Sequence, residues 1–398
     1  MKLLIVNLHL DIGGVETLLA RLIPIFKAKG IEVTLLLIRR KCNPELLAKL
    51  DGSCTIRFLD ELFPFSKKKI NDRLGEKFDI VFCTISYALI IGGWLVKRAG
   101  LGYPKFVPAV FQTQIYCEDS DAYYWRLTRH LVAKEIAPRS MIFGNNASRD
   151  IHAQKLGVDY SKSAVVRLFV DVDKYEFKYR QDIPRRKIVS IGKVISYKTY
   201  NFTMLDVIAS LLREGHEVEW HVYGDGPQLA ELAETVKQRK LEGQVVLHGA
   251  LPYSKFESVL ADAFLFVGSG TSLIEAAACG VPSLTTIEYS ETPISYGFIS
   301  EIVGFDMIEP GLDMPTHLLG DKIKFLLECD PASYREVQDA CLEKARQYSG
   351  DSVIADYMRV FADSASNGSC IRVSSLQLLR VFTSFVGSRL QRLIFAAK

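Results

Sequence analysis

The sequence predicts an α/β fold built from two doubly wound parallel-sheet domains. Three observations carry this. Apolar runs of strand length alternate with segments of helical period, the pattern of a parallel sheet covered on both faces. The alternation restarts after a polar stretch at residues 174–186, which holds Lys174, Lys178, Arg180, Arg185, Arg186 and Pro184. The length, 398 residues, exceeds what one typical core organises.

In the first half, strands are expected at residues 2–8, 32–38, 79–84, 106–111 and 141–143, with helices at 15–29 and 148–156. The first helix follows a Gly13-Gly14 turn and places Leu18, Leu19, Leu22 and Ile25 on one side. After the polar stretch, strands are expected at 187–191, 218–223, 245–247, 264–267 and 283–286, with helices at 202–213, 228–238 and 254–261. Further helices are expected at 321–328, 334–346 and 352–361.

Composition excludes several classes. With 48% hydrophobic and 24% charged residues the chain is globular, and a net charge of +3 gives no case for nucleic acid. The eight cysteines are scattered without a CxxC pair, which fits buried thiols in a reducing compartment and offers no metal framework. No secretory signal is expected: residues 1–10 read as a strand and lack a small-residue cleavage site. The run at 87–96, YALIIGGWLV, is too short to span a bilayer. Residues 364–370 read as a flexible break before a basic tail. Between 371 and 398 the chain carries Arg372, Arg380, Arg389, Arg392 and Lys398 and no acid. There Leu376, Leu379, Phe382, Val386, Leu390 and Leu393 recur at helical spacing, so an amphipathic helix on an anionic membrane surface is weighed against one packed on the protein body.

The segment at 264–282, FLFVGSGTSLIEAAACGVP, carries the most chemistry. A buried strand runs into a glycine turn and then a short helix that Gly280 and Pro282 close. A glycine turn feeding a helix N-terminus presents backbone N–H groups and partial positive charge to a phosphate. Glu275, one turn in, suits a sugar hydroxyl. The alternative is an ordinary strand–turn–helix. Four other segments bear on the same idea. Gly13 and Gly14 permit close backbone approach to a ligand. Gly192 ends a strand beside Lys193 and Lys198, two cations able to neutralise a diphosphate. Gly224 lies in a YGDGP turn after another strand. Gln112, Gln114 and Glu118 follow the strand at 106–111 and could hold a sugar or acceptor.

Taken together, GGVE after the first strand, the basic pair after the linker, GDGP, and SLIEAAACGVP resemble the family 4 glycosyltransferases over residues 1–363. The resemblance implies the GT-B architecture: two Rossmann-like domains facing a central cleft, residues 1–178 for the acceptor and 179–349 for the donor. A helix at 350–363 would cross back to the first domain, leaving 364–398 as the tail. It implies retaining transfer from a nucleotide diphospho-sugar, UDP- or GDP-linked, with no other cofactor and no metal. Gly13, Gly14, Gly192, Gly224, Gly270, Thr271, Ser272, Leu273 and Glu275 would bind donor. Lys193 and Lys198 would hold the phosphates, and Glu275 the ribose. Lys193 replaces the family's usual arginine, and Val267 stands where the first glutamate of a paired motif is expected. The expected acceptor is a saccharide or lipid-linked saccharide in cell-surface polysaccharide assembly, with the protein in the cytoplasm, peripheral on the inner membrane face. The alternatives are a nucleotide-sugar epimerase and a GT-B binding protein without activity.

Overall fold

The computed structural model describes residues 1–112, 115–180, 184 and 186–384. The chain divides into two compact units, residues 1–167 with 353–398, and residues 168–352.

Unit 1 is organised by a seven-stranded sheet in which all pairings are parallel. Its strands are β1 (Lys2–Asn7), β2 (Glu32–Leu37), β3 (Thr55–Phe58), β4 (Ile80–Cys83), β5 (Lys105–Val110), β6 (Ile142–Phe143) and β7 (Ala164–Val165), in the order β3-β2-β1-β4-β5-β6-β7. The helices are α1 (Gly14–Ala28), α2 (Pro44–Lys49), α3 (Lys67–Leu74), α4 (Ser86–Ala99), α5 (Tyr123–His130) and α6 (Asn146–Leu156). Helix α4 explains the apolar run at 87–96: it is a core helix, buried along nearly its whole length. Its adjacent glycines serve two surfaces. A Cβ at Gly92 would press on Val81 and Phe106 of the sheet, and one at Gly93 on Ile371 and Val373 of the C-terminal segment.

Unit 2 holds a five-stranded parallel sheet of β8 (Lys187–Ile191), β9 (Glu219–Tyr223), β10 (Val245–Gly249), β11 (Leu265–Gly268) and β12 (Ser283–Thr285). The order is β10-β9-β8-β11-β12. The helices are α7 (Tyr200–Arg213), α8 (Leu229–Gln238), α9 (Phe256–Leu260), α10 (Thr271–Ala278), α11 (Leu319–Glu328) and α12 (Pro331–Arg346). The chain moves outward from β8 to β9 and β10, then returns to the other side of β8 with β11. The crevice outside the carboxyl ends of β8 and β11 is therefore the topological switch point, where open α/β sheets bind ligands.

The unit boundary lies at Arg167/Leu168, before the 178/179 expected from the polar stretch. The reason is that the stretch is bound to unit 2. Val170 N donates to Tyr348 O at 2.9 Å. Arg180 is buried and caps the carbonyls of Leu260, Ala261 and Cys279. Helix α13 (Asp351–Asn367) joins unit 1 from Val353, its Phe361 ring packing 5.5 Å from Phe26 and 5.4 Å from Phe82. The break expected at 364–370 is tied down: Ser364 is buried, and Ser369 accepts from Phe106 N through its carbonyl and from Ala137 N through its hydroxyl. In the tail, residues 375–384 are helical, but the packed side carries Val381 and Leu378, while Leu376, Leu379 and Phe382 are exposed. Val386, Leu390, Leu393, Arg389, Arg392 and Lys398 lie outside the described residues. Among the described residues no helix is long and apolar enough to cross a membrane.

Candidate functional site: a switch-point crevice in unit 2

Three turns meet at the switch point. The first follows β8. Gly192 takes φ +159°, an unfavourable value for side-chain-bearing residues, and is zipped to the turn after β9: Gly192 N donates to Tyr223 O at 2.9 Å and Val194 N to Asp225 O at 2.8 Å. Gly224 lies so close to Gly192 that a Cβ on it would overlap the Gly192 carbonyl. The GDGP sequence thus holds the lysine-bearing loop in place.

That loop presents Lys193 and then Lys198. The Lys198 ammonium lies where a Cβ on Gly192 would be 3.0 Å away. Burial lowers the Lys198 pKa, the nearby Glu288 carboxylate opposes that effect, and Lys193 adds to it. Glu288 follows β12 and is buried at 9% exposure. Its carboxyl is pushed up to about 7, first by burial, against the Lys198 charge and with help from Glu309. Glu309 is also buried and raised, although Met307 N and Ile308 N donate to it at 3.1 and 3.2 Å. Tyr289 N donates to Tyr197 O at 2.8 Å, joining the Glu288 segment to the lysine loop. Nothing in the sequence marks Glu288: it is one acid after a short strand.

The third turn joins β11 to α10. It comprises Ser269 and Gly270, with Gly270 at φ +81° as the helix N-cap. No side chain caps the helix, and its first-turn N–H groups have no i−4 carbonyl. Leu273 N reaches the Gly270 carbonyl at 3.3 Å. Ser272 Oγ donates to Ile191 O at 3.0 Å, tying the α10 N-terminus to the end of β8. Helix α10 ends as the sequence requires: Gly280 N bonds Ala277 O and Val281 N bonds Ala276 O, with Gly280 at φ +82°. Two hydroxyls here lack protein partners. Ser269 Oγ, on a residue 2% exposed, and Thr199 Oγ1, at the start of α7, are buried and unsatisfied. Buried polar groups are otherwise nearly always paired, so both suit a polar ligand.

Glu275 is also buried, at 4% exposure. Tyr175 donates to its Oε1, and so does Tyr253, at 3.2 Å. Lys174 Nζ sits 4.3 Å from the Tyr175 ring centroid and 4.5 Å from that of Tyr253. The carboxylate therefore already accepts hydroxyl hydrogen bonds of the sort a ribose would supply. Val267, at the position where the family resemblance leads one to look for a second glutamate, is fully buried in β11, and its carbonyl accepts from Ser190 Oγ at 2.6 Å. A carboxylate there would be buried in the core.

Lys193, Lys198, Gly192, Gly224, Gly270, Thr271, Ser272, Leu273 and Glu275 are thus all brought to one end of the unit 2 sheet. Gly13 and Gly14 belong to unit 1. The Glu16 carboxylate curls back over Gly13, so this helix N-terminus already faces negative charge. Glu16 Oε1 lies 3.4 Å from both Asn7 Nδ2 and His9 Nδ1, and Asn7 Oδ1 accepts from Thr84 at 2.9 Å. That polar cluster suits hydroxyls better than phosphate; Glu16 is the last residue of the GGVE motif, while no sequence motif singles out His9 or Asn7. Gln112 and Glu118 are exposed, and Gln114 lies outside the described residues. Among the described residues no group of three or more acidic, histidine or cysteine side chains could hold a metal.

The family model described as glycosyl transferases group 1 matches residues 171–292, which include all three turns. A phosphatidylinositol N-acetylglucosaminyltransferase subunit from Arabidopsis thaliana is 27% identical over 171 residues, 40% of this chain and 36% of that one. The GPI3 subunit of the same transferase from Saccharomyces cerevisiae is 28% identical over 115 residues, 27% of this chain and 25% of that one. The chain therefore matches at most 36% of the length of these relatives. Among solved structures, a TarM variant from S. aureus in complex with fondaparinux, alpha-GlcNAc-glycerol and UDP superposes with a TM-score of 0.64 at 12% identity, covering 90% of this chain and 99% of that one. The fold is GT-B.

Proposed function

We propose that the chain transfers a sugar from a nucleotide diphospho-sugar to a saccharide or lipid-linked acceptor, on the premise of its GT-B fold and the match of residues 171–292 to the glycosyl transferases group 1 model. The observation that carries this reading is the convergence of Lys193, Lys198 and the uncapped α10 N-terminus at the switch point, beside the orphaned Ser269 and Thr199 hydroxyls.

In this reading the donor diphosphate lies across the start of α10, where the helix dipole and first-turn N–H groups meet it. Lys198 and Lys193 take up the charge that develops as the diphosphate leaves, stabilisation realised mainly in the transition state. Glu275 takes the ribose hydroxyls by exchanging them for the Tyr175 and Tyr253 hydroxyls it now holds. The reading is front-face displacement with retention, in which Lys193, Lys198 and the α10 dipole stabilise the departing diphosphate. The named relatives are phosphatidylinositol N-acetylglucosaminyltransferase subunits, and a neighbour was solved with UDP and alpha-GlcNAc-glycerol, which supports a UDP-sugar and a lipid-linked acceptor; with such an acceptor the reaction would take place at a membrane face.

The test is product analysis by mass spectrometry and NMR, with UDP- and GDP-sugars offered with and without a polyprenyl- or glycerolipid-linked saccharide. Acceptor-dependent transfer with the anomeric configuration of the donor kept supports the reading. Inversion overturns the stereochemistry. Donor isomerised without acceptor means an epimerase, and donor bound without turnover means a binding protein.

A further inference from the structure

Unit 1 gathers its exposed apolar side chains in one region. Apart from Met1, the large exposed hydrophobics of its described residues are Phe63, Tyr103, Leu376, Leu379 and Phe382, each more than half exposed. Contacts link them around the junction of α4 with the C-terminal segment. The Phe63 ring meets Phe65 at 5.9 Å and Phe65 meets Trp94 at 5.2 Å. Trp94 Nε1 donates to Ser375 Oγ at 3.1 Å, at the start of the terminal helix. Arg372 lies 4.8 Å over the Tyr103 ring.

The segment is fixed. Ile371 and Val373 are fully buried against α4, and Val373 N donates to Gly93 O at 3.1 Å. Val381 is buried one helical face away. Leu376, Leu379 and Phe382, at i, i+3 and i+6, therefore form a stripe held outward by a helix whose opposite side is docked. Among the described residues of unit 1 nothing covers them.

The segments that carry these side chains hold charge of one sign. Residues 62–71, 86–105 and 364–384 include Lys67, Lys68, Lys69, Lys97, Arg98, Lys105, Arg372 and Arg380 and no aspartate or glutamate. The sequence from 385 to 398 adds Arg389, Arg392 and Lys398, again with no acid. An outward apolar stripe on cationic segments complements a surface that is anionic outside and apolar a few ångströms deeper. A nucleic acid would use the cations but not the Leu–Leu–Phe stripe. We propose that unit 1 docks on an anionic lipid bilayer through the helix at 375–384, with Leu376, Leu379 and Phe382 entering the headgroup–acyl boundary and Lys67, Lys68, Lys97, Arg98, Arg372 and Arg380 on the lipid phosphates. This docking makes the membrane-face reading above specific, but it does not require sugar transfer, so the two fail separately.

The test is co-sedimentation of the full chain with vesicles of phosphatidylcholine alone and of phosphatidylcholine with phosphatidylglycerol in three-to-one ratio, without nucleotide or acceptor. Binding is expected to the anionic vesicles, to weaken with added salt, and to be slight to the neutral ones. The Leu376→Gln/Leu379→Gln/Phe382→Gln variant should bind at least about tenfold more weakly, and so should Lys67→Glu/Lys68→Glu/Lys97→Glu. The melting temperature checks that both variants fold. Absence of wild-type binding to anionic vesicles overturns the proposal. So does undiminished binding by the folded glutamine variant, which would assign any attachment to residues 385–398 alone.

Discussion

Gly224 lies against the backbone of Gly192, leaving no room for a Cβ between the turn after β9 and the lysine loop after β8. The GDGP sequence therefore shapes the site from behind. Gly224→Ala must push the two turns apart. It should lower stability by about 1–3 kcal/mol, as overpacking does, and weaken donor binding together with it. Thermal unfolding and ligand titration of the same variant check this. Unchanged values for both would mean that the two turns are not held together in this way.

Substitution of Glu275 tests the ribose contact proposed for it. Removing its carboxylate takes away a charged hydrogen-bond acceptor, a loss of about 1.5–3 kcal/mol. Glu275→Ala should thus weaken nucleotide-sugar binding by roughly ten- to hundredfold. Tyr175→Phe frees one position on the carboxylate without removing the charge, and should leave affinity unchanged or improved. Isothermal titration separates the two outcomes. Equal weakening in both variants would assign Glu275 a purely structural part.

Glu288 should make donor binding pH-dependent. Its carboxyl ionises at about 7 in the folded protein. An anion there opposes a diphosphate held by Lys198, so affinity should fall as the pH rises from about 6 to 8. Glu288→Gln should flatten that dependence. A nucleotide sugar is the right probe, since its diphosphate does not titrate in this window. The stability sign is consistent: a raised carboxyl pKa favours folding fully below the unfolded value near 4.5 and less as the pH climbs through about 7. A pH-independent wild type would remove Glu288 from the site.

Much of this is legible in the sequence, for identifiable reasons. The strand at 187–191 and the helix ending at Arg213 show up as an apolar strand-length run and a helical period. The α10 segment is bracketed by Gly270 and Gly280, whose positive φ values only glycine adopts easily. Long-range packing is not legible. Nothing local says that Arg180 is buried under three carbonyls, or that Ser369 is fixed on Ala137 and Phe106. Helical spacing identifies Leu376, Leu379 and Phe382 as one face, but not that Val381 opposite them is the side that docks. For the same reason Glu288 is invisible and Val267 ambiguous in the sequence: each acquires meaning from a neighbour far away along the chain.

Ligand-dependent unfolding checks whether a nucleoside diphosphate binds between Lys198 and the start of α10. Wild type and Lys198→Ala would each be melted against UDP-, GDP-, ADP- and CMP-sugars. A ligand bound to the folded state alone raises the melting temperature by mass action. One nucleotide class should raise the wild-type melting temperature, Lys198→Ala should lose most of that rise, and turnover in the variant should fall by about 10²–10³. No rise with any member of the panel, or the same rise in Lys198→Ala, would mean that no diphosphate is held there.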